Sequence, residues 1–96
     1  MSIVWQRIKP RPAEFHGRVS CDAKDAGYAN WCLLGGYTGK ITVTLDGVEQ
    51  RNAVIADPDK GFVYRAKTKF GGGVVISGDE IVMETVKGHV QVLVGE

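Results

Sequence analysis

From residue 40 onward the chain alternates between apolar and polar positions. Ile41, Val43 and Leu45 are separated by Thr42 and Thr44, the period-two pattern of a strand with one face buried. Asp46-Gly47 follows, a dipeptide suited to a two-residue hairpin turn. The chain then returns over residues 48–56, polar at first and apolar at Ala53, Val54 and Ile55. Asp57-Pro58-Asp59-Lys60-Gly61 carries turn residues at the positions a turn needs. Residues 62–70 predict a long strand, with Phe62, Tyr64, Ala66, Thr68 and Phe70 on the core face. Val63, Arg65, Lys67 and Lys69 then fall on the solvent face. Gly71-Gly72-Gly73 breaks the strand, and short strands are expected over 74–76 and 80–86, with a turn at Ser77-Gly78-Asp79. After Lys87-Gly88, Val90, Val92 and Val94 point inward from a last strand over 89–94. These segments predict a mainly β fold: an antiparallel meander of five or six strands closing into a small barrel or a sandwich.

The first forty residues are less regular. Residues 2–8 read as a strand, with Ile3 and Trp5 on one side and Val4 and Ile8 on the other. Pro10 and Pro12 end it, because proline cannot donate to a sheet ladder. Residues 1–12 therefore read either as the first strand of the domain or as an extended arm. Residues 22–34 suit one short helix, capped by Asp22 and stopped by Gly35. Gly27 weakens a helix interior by about 1 kcal/mol relative to alanine, which leaves a strand over 29–34 as the competing reading.

Ninety-six residues suffice for one domain, and residues 1–96 are read as a single unit with no linker, repeat or low-complexity tract. The net charge of +1 provides no global field to draw the protein to nucleic acid or a membrane. Locally, Arg7, Lys9, Arg11 and Arg18 make the N-terminal stretch basic. No run approaches the roughly 20 apolar residues of a membrane helix, and Ile3-Val4-Trp5 is too short for the core of a signal peptide. Synthesis in a cytoplasm, with Cys21 and Cys32 reduced, follows as the expectation, although their separation of eleven positions leaves a bridge open.

Several constellations invite chemical readings and lack parts of the required pattern. Gly35-Gly36-Tyr37-Thr38-Gly39-Lys40 resembles a phosphate-binding loop, but that loop needs Gly at Leu34 and Ser or Thr at Ile41. His16, Cys21, Cys32 and His89 hold zinc-type donor atoms without the close Cys spacing of structural sites, so no metal or other cofactor is expected. No serine lies in a nucleophile-elbow context. Asp79, Glu80 and Glu84 could supply paired carboxylates, but Glu80 and Glu84 share a strand face and read as solvated partners of the basic strand. Arg65, Lys67 and Lys69 form a stripe with successive spacing of roughly 6–7 Å, comparable to that of phosphates along a single strand.

Residues 40–94 resemble a group of small β-rich proteins encoded by tailed phages and prophages. The resemblance is carried by Leu45-Asp46-Gly47, Val54, Ala56-Asp57, Gly61-Phe62-Val63 and Arg65. It continues through Gly78-Asp79-Glu80-Ile81, Glu84-Thr85 and Gly88-His89-Val90. It implies a phage origin and assigns no activity. The expected function is thus a non-enzymatic phage accessory or virion-associated protein acting through protein–protein contacts. Its partners would be further copies of itself or virion components. It would be made in the host cytoplasm, with the virion as a further destination. Ile3, Val4, Trp5 and Ile8 are the expected contact residues, adding a strand to a neighbour's sheet edge. The alternative is a small nucleic-acid-binding barrel using Arg65, Lys67 and Lys69 with Arg7, Lys9 and Arg11. An inhibitor of a host enzyme is a third reading, to which no residue points.

Overall fold

A computed structural model describes residues 13–95. The strands are β1 (Ala13–Phe15), β2 (Val19–Ser20), β3 (Ile41–Leu45), β4 (Val48–Glu49) and β5 (Ala53–Asp57). They continue with β6 (Phe62–Ala66), β7 (Ile76–Ser77), β8 (Glu80–Ile81), β9 (Met83–Lys87) and β10 (Val90–Val94). All pairings are antiparallel, in two four-stranded sheets of order β1-β10-β3-β4 and β2-β5-β6-β9, with β7-β8 a separate hairpin. The mainly β, antiparallel expectation holds. A single meander does not: β10 returns to pair with β3, and the sheets form a sandwich-like pair rather than a closed barrel.

The core lies between the two sheets. Val43, Leu45, Val90 and Val92 come from the first, and Val19, Ala56 and Val63 from the second. The alternation read over Ile41–Leu45 and Val90–Val94 set the right inner face, and Val92 is fully buried. At Asp46-Gly47 both residues have positive φ, 50° and 83°, as a type I′ hairpin turn requires. The Asp46 carboxylate then accepts a hydrogen bond of 2.8 Å from the His89 backbone, tying the turn to the β9–β10 connection.

β6 reverses the expected facing. Val63 is the buried residue, while Phe62 and Tyr64 are only half-buried. Cross-strand register explains it: Val19, Ala56, Val63 and Val86 lie in one row across the second sheet, and that row meets the other sheet's valines. Nor does the strand reach residue 70. It ends at Ala66, and Phe70 projects fully into solvent. Likewise, the strand read over 80–86 is broken at Val82, and the return over 48–56 divides at the Arg51-Asn52 turn.

The short helix expected within 22–34 is α1 (Tyr28–Leu33), and no strand forms there. Its start is later than Asp22 because the two aspartates serve turns instead. Asp22 accepts from the Lys24 amide (2.9 Å) and Asp25 from the Gly27 amide (2.8 Å). Gly27 sits at the N-cap, hard against the β2 backbone, where a Cβ would lie 2.9 Å from the Val19 carbonyl carbon. The strand and arm readings of residues 2–8, and the contact set Ile3, Val4, Trp5 and Ile8, lie outside the described residues.

Candidate functional site

Residues 67–82 leave the sandwich as a branched ribbon. At its root, Lys67 donates its amide to Val82 (2.8 Å), Val82 donates to Val75 (2.9 Å), and Val75 donates to Lys67 (2.8 Å). This ring of three strands divides the chain into two hairpins. One pairs Lys69 with Gly73 and Thr68 with Val74; the other is β7–β8. Gly71, Gly72 and Gly73 all have positive φ (90°, 102° and 84°), so the first tip is closed by glycine backbone alone. Beside those glycines stands Phe70, without shielding. On the second hairpin Ile76 and Ile81 face each other across the ladder, 60% and 52% exposed. These large apolar side chains stand exposed on a ribbon outside the core.

The basic stripe is divided at this junction. Arg65 remains in β6, where it donates to Glu84 (3.1 Å) and to Gln50 (2.5 Å). Lys67 and Lys69 continue onto the ribbon, beyond the end of β6. Glu84 takes the cross-strand role expected of it, whereas Asp79 and Glu80 belong to the second hairpin and its turn. Arg7, Lys9 and Arg11 lie outside the described residues.

A second cluster of charges is structural. Arg18 forks onto Asp25 through Nε (2.9 Å) and Nη2 (2.6 Å) and reaches Asp57 through Nη1 (3.3 Å). Asp57 is buried and also accepts from the Lys60 amide (2.9 Å). The guanidinium stacks over Phe62, and the Arg18 carbonyl accepts from Asn30 (2.9 Å), joining β2, β5, β6 and α1. Hydrogen bonds from Arg18 pull the Asp25 carboxyl down to about 2, against the opposing effect of burial. The same bonds raise the Arg18 guanidinium well above its usual range.

On the α1 side, Tyr28, Trp31 and Tyr37 pack together, with Trp31 and Tyr37 centroids 4.4 Å apart and the two tyrosine hydroxyls in contact. That hydrogen bond raises the Tyr28 hydroxyl above the ordinary tyrosine value. Gly36 makes the packing possible, because an added Cβ would enter the Trp31 ring. Trp31 also lines a groove of about 240 Å³ together with Val19, Val43, Ala56, Glu49 and Arg51, residues of β2 to β5 and the turn between β4 and β5. Tyr37 joins this cluster through the turn over Gly36–Thr38, a placement that no periodic pattern in the sequence signals.

The zinc-type residues do not converge: among the described residues no three His, Cys, Asp or Glu are grouped to hold a metal. His16 pairs with Glu14 (3.2 Å), and Cys21 and Cys32 are both exposed and unbridged. No described helix is long and apolar enough to cross a membrane. Compared with known proteins, the chain matches no family model, no curated protein and no solved structure.

Proposed function

We propose that this protein is a non-catalytic binding module that acts through protein–protein contacts, in the phage accessory or virion-associated setting that the resemblance of residues 40–94 implies. The observation that supports it is the ribbon of residues 67–82, which carries Phe70, Ile76 and Ile81 into solvent while the sandwich retains its own core. Burying an exposed phenylalanine and two isoleucines on a partner is favourable by roughly 1.5–3 kcal/mol for each fully covered side chain, before the cost of association. A nucleic-acid surface is less well supplied. Of the expected stripe, Arg65 is already paired with Glu84 and Gln50, and Phe70 is the one aromatic beside Lys67 and Lys69 in sequence.

A photoreactive phenylalanine analogue placed at position 70 tests the proposal in the cells that carry the gene. The expected result is a discrete protein adduct from position 70 that is absent when the probe stands at Thr42, on the first sheet. A nucleic-acid adduct, or the same adducts from both positions, would overturn it.

A further inference from the structure

Among the described residues β9 is the longest strand at a sheet edge, because β2 and β4 have two residues and β1 three. The ladder fixes which of its groups face outward. Val82 accepts from Lys67 and Gly88 donates to Gly61 (3.0 Å), so the even-numbered residues between them turn their backbone towards β6. Met83, Thr85 and Lys87 therefore direct their N–H and C=O groups away from the sheet. Strand edges of this length are usually guarded by lysine or other edge charges, by proline, by a bulge or by inward charge, and among the outward-bonding residues of β9 one is charged, Lys87 at its end. Here the only bulge in the sheet is at Ala53/Ile55 in β5, and Thr85, at the middle of the edge, is exposed and uncharged.

We propose that β9 pairs antiparallel with β9 of a second copy about a two-fold axis at Thr85, joining two four-stranded sheets into one of eight. The sequence of β9 is self-complementary in one register. A two-fold at Glu84 would set two carboxylates opposite each other, and one at Lys87 two ammonium groups. At Val86 the axis would bring Met83 opposite the partner's His89, whose amide is already given to Asp46. At Met83 it would bring Thr85 opposite the partner's Ile81, which is paired with Ile76 in the ribbon. Only the Thr85 register uses every outward group. Three residues on each strand, each with one donor and one acceptor, make six hydrogen bonds. It also sets Thr85 against Thr85, a favourable cross-strand pair, and Met83 against the stem of the partner's Lys87. This surface is separate from the ribbon tips, so it stands or falls independently of the proposed function.

Strand pairing alone covers less than the roughly 1,200 Å² of a standard stable interface, so the dimer is concentration-dependent. Sedimentation velocity of the full chain should show monomer at about 1 µM and dimer at several hundred µM, with dissociation on the order of 10 µM. Thr85→Lys places two charges at the axis and should raise the dissociation constant at least about tenfold, less so in high salt. Thr85→Pro removes an outward N–H without touching the β6 ladder, so dimer should be lost while the melting midpoint of the monomer changes little. At high concentration the Met83, Thr85 and Lys87 amides should also exchange more slowly with deuterium. A monomer at every concentration would overturn the proposal. So would a dimer that survives both Thr85 variants, or one abolished only by deleting residues 1–9.

Discussion

Replacing Arg18 with methionine should destabilise the fold more than the loss of a surface ion pair would. Methionine keeps much of the stem that lies over Phe62 but withdraws three charged donors, two from Asp25 and one from Asp57. Asp57 is 4% exposed and keeps only the Lys60 amide as partner, so its carboxylate stays buried without its cation. Breaking a fully buried pair by removing one partner costs about 3–5 kcal/mol, and an exposed pair contributes only about 0.2–1 kcal/mol. With Asp25 12% exposed at its side chain and Arg18 28%, we expect about 2–4 kcal/mol. For a domain of this size that lowers the melting midpoint by at least about 8 °C, at about 4–8 °C per kcal/mol. Urea unfolding followed by circular dichroism would measure it. Arg18→Lys should be intermediate, since an ammonium keeps the charge but cannot fork. Adding Asp57→Asn to Arg18→Met should recover part of the loss by removing the stranded charge. A loss within about 0.5 kcal/mol for Arg18→Met, or no recovery in the double variant, would refute the reasoning.

The lowered Asp25 carboxyl makes the same contact pH-dependent. Its stabilisation is complete above the unfolded value of 3.8 and is lost as pH falls through about 2. Solvent screening limits the effect to about 1–2 kcal/mol, and Asp25→Asn should flatten that part of an acid-titration stability curve. Gly36→Ala should cost about 1–3 kcal/mol and red-shift Trp31 fluorescence, because the new Cβ displaces the indole from its packing on Tyr37. Val63→Ala, at a fully buried position, should cost about 2 kcal/mol in the same urea assay. Phe70→Ser, despite removing a larger apolar side chain, should change stability by no more than about 0.5 kcal/mol.

That last contrast shows where the sequence pattern was readable. Over Ile41–Leu45 one face is apolar and the other is threonine, over Val90–Val94 three valines share one face against Gln91 and Leu93, and both strands face as the pattern predicts. Phe62–Ala66 carries two aromatics on one face and a valine with an arginine on the other, so periodicity alone does not say which side is buried. Side-chain size favoured the aromatics. Position in the sheet favoured Val63, because its neighbours Ala56 and Val86 line the core and Arg65 can lie between Glu84 and Gln50 at the margin. The ribbon was hidden for a related reason: Thr68 and Val74 pair locally, and a junction such as Lys67, Val75 and Val82 has no periodic signature. β1 and β2 are too short to show a period at all. Asp22 reads as a helix cap, whereas the role of Asp25 comes from an Arg18 network that reaches across to Asp57, far along the chain. The β9 edge was legible only after the ladder had fixed which residues turn outward.

Protein partnership, as opposed to nucleic-acid binding, is tested most directly by light scattering with a 260/280 nm absorbance ratio on the gently purified chain. A particle larger than the monomer with a protein-like ratio is the predicted result. A monomer carrying nucleic-acid absorbance that high salt removes would contradict the account and return Lys67 and Lys69 to the centre of it.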